Sequence, residues 1–297
     1  MTHRILMSIV MASLTCGCAT EVITDDSMPT LAPPSTTYLT VLDSLEFTRS
    51  TDGVAPGFNV DGKVSKDGDP DSCEKGDLVS PWGEVGVDNQ FAKLVPIIEF
   101  SGLGAAEGLV ATVIKDGGLL IIVELKGVDD RLNDDDVTLT IRLGSGTPLL
   151  GTDGLVLSGQ TFALHDDSPE TSAPAKIVDG IVLTEPFDTT LPIVVFGVGY
   201  QLAINKAQVR ARLTEDGGLI EGVLGGGIPV ESILEIAKQA ENGQKGLEEL
   251  IGGVIGAAGD MKKDPQTGQC MEVSAALAFT SVSAFLDQVQ KGQTVTP

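Results

Sequence analysis

Between residues 109 and 224 the chain is a succession of short aliphatic and β-branched segments, set apart at close intervals by Gly, Asp and Pro. Such segments favour a mainly β fold, an antiparallel β-sandwich or barrel-like domain, over alternating βαβ units. Residues 109–114, the turn Lys115-Asp116-Gly117-Gly118 and residues 119–125 read as a hairpin, because Asp-Gly readily takes the backbone of a tight turn. Residues 137–143 alternate Val, Leu and Ile with Thr and Arg, which gives a strand one buried and one wet face. Further strands are expected over 155–157, 161–164, 177–183, 193–198, 208–213 and 219–224. The stretch Ile114-Lys-Asp-Gly-Gly-Leu119 recurs as Thr214-Glu-Asp-Gly-Gly-Leu219. The likeness ends with the turn, so it reads as hairpin chemistry used twice rather than a duplication.

The pattern changes at Pro229. Apolar residues at Ile228, Val230, Ile233, Leu234, Ile236 and Ala237 have near-helical spacing, with Pro229 at the entry and Asn242-Gly243 at the exit. A second helix is expected over 246–258, on Leu247, Leu250, Ile251, Val254 and Ile255. These make a short C-terminal helix pair near 229–258, after which 272–285 returns to strand alternation. Gly225-Gly226-Gly227 lacks the spacing of a phosphate-binding turn and reads as a flexible corner. Trp82, in a turn-rich loop, reads as a lid on the core.

The first residues have a different character. His3 and Arg4 precede an apolar stretch, Ile5 to Leu14, of about half the length a membrane span needs, and small residues and cysteines follow. This is the layout of a cleaved secretion signal, residues 1–17. The segment Leu14-Thr15-Cys16-Gly17-Cys18 resembles the lipobox of bacterial lipoproteins, with Thr15 and Cys16 standing where an aliphatic and a small residue are usual. The resemblance implies cleavage before Cys18 and acylation of that cysteine, palmitate included. Ala19 implies sorting to the outer membrane. Residues 18–38, rich in Thr, Ser, Pro and acid, then form a tether, and 39–297 a single globular domain. Cleavage leaves Cys73 and Cys270 as the only thiols of the body, an even pair in an oxidising compartment, and they are expected to be bonded.

Charge restricts the partners. Loss of Arg4 leaves 18 basic residues against 42 acidic ones, a net charge of −24 where the full chain carries −23. That excludes nucleic acid as a partner and leaves membrane attachment to the acyl chains. With 42% apolar and only 21% charged residues the chain is nonetheless a folding sequence rather than an acidic tail.

Catalytic signatures are scarce. His165, followed by Asp166 and Asp167, is the only imidazole of the body; no Gly-x-Ser-x-Gly elbow frames Ser145, and one histidine beside a disulfide cannot build a tetrahedral zinc site. The acidic loops say more. Asp67, Asp69 and Asp71 alternate along a loop, with Asp77, Asp88 and Asn89 downstream, and hard cations such as calcium take six to eight oxygens from segments of this kind. Asp129, Asp130, Asn133, Asp134, Asp135 and Asp136 form a second cluster. Neither matches an EF-hand, and Asp and Asn also populate turns by accepting backbone hydrogen bonds.

The stretches Gly57-Phe58-Asn59-Val60-Asp61-Gly62, Gly86-Val87-Asp88-Asn89-Gln90 and Gly127-Val128-Asp129-Asp130 resemble exported lipoproteins of myxobacterial type, which implies a setting and no activity. The expected function is therefore an outer-membrane lipoprotein with a β-rich binding domain for an extracellular or periplasmic protein or polymer, calcium ordering its acidic loops. A carboxylate-based hydrolase of an extracellular polymer and a purely structural envelope protein are the alternatives, separated by whether two facing carboxylates share a cleft.

Overall fold

The computed structural model describes residues 35–99, 106–166, 170–195, 198–240 and 247–287. The signal, Cys18, most of the tether, Asp167 and the helix exit at Asn242-Gly243 lie outside these. The strands are β1 (Thr36–Phe47), β2 (Leu78–Val79), β3 (Val85–Val87), β4 (Ile121–Val128), β5 (Asn133–Ser145), β6 (Gln160–Leu164), β7 (Thr171–Val178), β8 (Ile181–Thr184), β9 (Phe187–Val195), β10 (Val198–Leu213), β11 (Leu219–Pro229), β12 (Met261–Lys263) and β13 (Cys270–Leu286). The helices are α1 (Gln90–Ile98), α2 (Ala106–Lys115), α3 (Val230–Ala240) and α4 (Leu247–Ala258).

Eight of the strands close into an antiparallel barrel. Running around it, β1, β4, β5, β7, β8, β10, β11 and β13 pair in that order, and β13 pairs back to β1. Of the two architectures the strand pattern allows, the barrel is the one formed. Leu125, Leu139 and Ala173 stand opposite one another on three neighbouring strands, as do Ile177, Val182 and Ala211. The alternate residues Glu124 and Arg142 carry an ion-paired network with Lys126 and Glu170, so that row faces outward and the aliphatic rows face in. Eight strands leave an interior that side chains of this size fill.

Successive barrel strands are neighbours and antiparallel, so their connections alternate between two ends. At the turn end lie three tight connections: residues 129–132, the pair Asp179-Gly180, and Thr214 to Gly218. Asp179 and Gly180 both have positive φ, 51° and 77°, as the turns that match strand twist require. Arg131 donates to the Glu215 carbonyl and ties two of these turns together. At the loop end the four long connections, between residues 47 and 121, 145 and 171, 184 and 198, and 229 and 270, leave and rejoin the barrel; among the described residues they carry α1 to α4 and the strands β2, β3, β6, β9 and β12. The chain enters β1 at the turn end.

Several sequence readings are corrected. Residues 109–114 are not the first arm of a hairpin but part of α2. Val110, Val113 and Ile114, at helical spacing, face the core, while Leu109 is exposed. The Asp-Gly-Gly stretch caps that helix: Gly118 N–H donates to the Val113 carbonyl (2.8 Å) and Gly117 N–H to that of Ile114 (3.1 Å), with Gly117 at φ +80°. This is the glycine-dependent end that closes many helices. Its echo, Thr214 to Gly218, is a true hairpin turn in which Thr214 N–H donates to the Gly218 carbonyl.

Residues 155–157 form no strand; only Val156 bridges Leu150. The single strand expected over 177–183 is two, β7 and β8, divided at Asp179-Gly180. β1 begins at Thr36, inside the segment read as tether. The glycines of 225–227 form no flexible corner but lie within β11, where neighbours press on the strand. A Cβ at Gly225 would stand 2.9 Å from the Phe58 ring, at Gly226 2.7 Å from Ile204, and at Gly227 2.7 Å from Glu272 Oε2. Trp82 is no core lid: it is 39% exposed, with the Arg210 guanidinium stacked 3.7 Å from its ring centre.

Candidate functional site

The loop end is where side chains with unusual environments gather. Residues 55–60 lay Phe58 and Val60 against Val223, Ala276 and Met261, burying the outer side of β11 and β13. The sulfur bridge from Cys73 to Cys270 fastens the same insertion to the start of β13, closing a separation of 197 residues. Here the reading from cysteine count is right.

Beneath that fastening lies a polar layer. Asp88, 5% exposed, accepts from the N–H of Val60 (2.7 Å) and of Asp61 (3.1 Å). Burial pushes its carboxyl up to about 7, against the pull of those two donors, and the negative charges of Asp61 and Asp77 add to the rise. Asp260, 7% exposed, accepts from both the N–H and the hydroxyl of Ser274. Burial raises it to about 6 against those bonds. The Ser274 hydroxyl accepts in turn from Gln90 N–H (2.9 Å), joining β13 to the first residue of α1. Glu272, also buried, accepts from Asn205 (2.7 Å) and Lys262 (3.0 Å). Asp88, Asp260 and Glu272 are each held by protein donors.

The residues singled out as calcium ligands are distributed as follows. Asp67 accepts from Gly76 N–H (2.8 Å), and Asp77, raised by burial against its bond from Ser65 N–H (2.5 Å), closes the neighbouring turn. The Asp69 carbonyl accepts from Ser72 and Glu74 N–H; Asp71 lies in a single 3₁₀ turn, Pro70–Ser72, and its side chain is outside the described residues. Asn89 is the N-cap of α1: its side chain accepts from Ala92 N–H and donates to Thr48 and Pro56. In the second cluster, desolvation of Asp134 is outweighed by three backbone donors, from Asp129, Asp130 and Asp136, and its carboxyl is lowered. Among the described residues no three His, Cys, Asp or Glu side chains converge on one point. His165 lies exposed just after β6, its backbone N–H donating to the Leu143 carbonyl (2.9 Å).

A cleft of about 780 Å³ opens beside the disulfide. Cys73, Glu74, Glu231, Leu234, Lys263 and Cys270 are among its walls, so the insertion, α3 and the β12–β13 connection all contribute. It presents aliphatic surface with charges of both signs. Neither Asp88 nor Asp260 lines it. Sequence reasoning had no signal for this cleft, which exists only because the disulfide brings residues 73–75 against 268–271.

The fold and site together define a closed eight-stranded antiparallel barrel with a disulfide-stapled cleft at one end. No family model, curated protein or solved structure matches the chain.

Proposed function

We propose that the protein is an acylated lipoprotein of the outer membrane whose barrel binds a small or segmental ligand in the cleft beside Cys73–Cys270. The observation that carries this reading is the asymmetry of the barrel. The chain joins it at the turn end, where connections are minimal, and the disulfide, the cleft and all long connections are at the other. A tethered binding domain needs that separation, since the end that carries the site is then free to face its ligand. Export supports the disulfide, and the disulfide supports the cleft. Calcium enters the reading only as a stabiliser of the 67–77 loop, whose like charges a cation would relieve.

Cys18→Ala tests the anchor: the chain should lose incorporated palmitate and move from the membrane to the soluble fraction. Native mass spectrometry of the wild-type protein tests the cleft. A co-purifying adduct that disappears in Leu234→Arg, whose longer side chain fills the cleft, supports binding there; an adduct unaffected by it places the ligand elsewhere and sinks the reading.

A further inference from the structure

The disulfide that borders the cleft fastens a small flap rather than the insertion as a whole. Residues 66–76 fold on themselves: Gly68, Asp69, Ser72, Glu74 and Lys75 each donate their N–H to a carbonyl of the same loop, and the Ser72 hydroxyl donates to the Lys75 carbonyl (2.9 Å). At the base of the flap Asp77 N–H donates to the Ser65 carbonyl (3.2 Å), and the Gly76 carbonyl accepts from Gln90 (3.0 Å) and Lys93 (2.8 Å) of α1. Its tip meets β12 and β13 through Cys73–Cys270 and through Lys263, whose ammonium donates to the Pro70 carbonyl (2.8 Å). The rest of the insertion is held elsewhere, by Phe58 and Val60 on the outer side of β11 and β13 and by Gln90 N–H on Ser274. Parting the sulfurs therefore frees the flap and leaves the barrel and α1 docked.

Three features of this disulfide suit a bond that exchanges. Cys73 and Cys270 both line an open cleft of about 780 Å³ and are half-buried, so a thiol can approach them. Lys75 and Lys263 line the same cleft, and Lys263 is the register partner of Cys270, so positive charge stands where a departing thiolate forms; Glu74 and Glu231 are the opposing charges. Cys73 and Glu74 are consecutive non-glycine residues with φ of 57° and 62°, a left-handed backbone that is unfavourable for both and that release of the tip relieves. We propose that Cys73–Cys270 is a redox-active latch, opened by a dithiol that enters the cleft, and that the freed flap widens the cleft. One thiolate of the dithiol attacks Cys73 Sγ and expels Cys270 as a thiolate, which takes up a proton. The second thiolate then attacks the dithiol's own sulfur in the mixed disulfide and expels Cys73. Two electrons and two protons pass to the protein, which gains two thiols, and the dithiol leaves as a disulfide. This gives the cleft proposed above a regulator and rests on that reading for its purpose; its test uses no cleft ligand, so the two fail separately.

The test uses the oxidised full-length protein and dithiothreitol, with alkylation at Cys73 and Cys270 mapped by mass spectrometry. At fixed dithiothreitol the reduction rate should change less than about twofold with urea below the unfolding transition, because the bond is reached in the folded protein. Trypsin should then cut after Lys66 or Lys75 at least about tenfold faster than in the oxidised protein, with cleavage after Arg142 and Lys176 unchanged. Cys73→Ser with Cys270→Ser should show the same cleavage without dithiothreitol. Reduction that accelerates about tenfold or more over the same urea range means that the bond opens by global unfolding and overturns the proposal. A flap cut equally in the oxidised and reduced forms, or a reduced protein cut everywhere alike, also overturns it.

Discussion

Replacing Asp88 by Asn should change how the protein's stability depends on pH. In the unfolded chain this carboxyl releases its proton near the ordinary 3.8, whereas burial in the folded protein holds the proton up to about 7. Between those values the native state binds more protons, so stability falls as pH rises. The contribution is complete below 3.8 and fully lost above about 7. At about 1.4 kcal/mol for each tenfold change in proton affinity, Asp88 accounts for a loss of about 4 kcal/mol. Asp260, raised by burial to about 6, accounts for about 3 kcal/mol over the lower part of the same window.

Asn at position 88 cannot ionise, yet its amide oxygen can accept the two N–H groups now bonded to Oδ2. Urea midpoints of the wild type should therefore fall from about pH 4 to about pH 8, and those of Asp88→Asn should fall less, so that the variant is the more stable protein at the alkaline end. Asp134 and Asp216 titrate below 3.8 in the fold, so their stabilisation is already complete above that pH and does not enter this window. Wild-type stability that is flat or rising from pH 4 to 7, or a variant with an unchanged slope, would refute the reasoning.

Three further outcomes are expected. Cys73→Ser with Cys270→Ser should lower the unfolding free energy by up to about 5 kcal/mol, as the chain-entropy model gives for so long a closed loop, read from urea unfolding of both forms. Alanine at three left-handed glycines should rank by what its Cβ meets. Gly62 has nothing within 4 Å, and backbone conformation alone costs about 1 kcal/mol there; Gly217 meets the Tyr38 ring at 2.9 Å; Gly117 meets the Gly146 carbonyl oxygen at 2.1 Å, which cannot turn aside. Melting temperatures should fall in that order, and an equal drop at all three would show that sterics play no part. If calcium orders the 67–77 loop, the melting midpoint should rise in excess calcium over chelator and lose that rise in Asp67→Asn with Asp69→Asn; an unchanged midpoint leaves those carboxylates as turn acceptors.

The candidate site was only partly legible in the sequence. Cys73 and Cys270 could be paired by count because cleavage of the expected signal and acylation of Cys18 would leave no other thiol, and the disulfide borders the cleft. The acidic positions were visible, but their roles were not. Asp88 and Asn89 are adjacent and both polar, yet one is a desolvated acid and the other a helix cap. What divides them is that Val60 and Asp61 come back to meet the first, and Ala92 is one turn beyond the second. Burial of this kind is contributed by residues distant in the chain, and a local pattern carries no record of it.

What the sequence determined by itself is the β-rich class, the tight turn chemistry, the helix pair after Pro229 and the thiol pairing, all of which follow from backbone preferences and residue counts within short windows. Tertiary structure decided that the strands close into a barrel, because closure depends on β1 meeting β13, where the hydroxyls of Ser44 and Thr280 meet across 236 residues. It also decided between the two copies of Asp-Gly-Gly. A glycine with positive φ ends a helix and turns a hairpin equally well, so Gly117 and Gly217 share a backbone conformation and differ only in what precedes them. Val110, Val113 and Ile114 find the core on one side of a helix; residues 208–213 find strands on both edges. Hydrophobic burial and hydrogen-bond partners outside the window select the element, and the local sequence permits either.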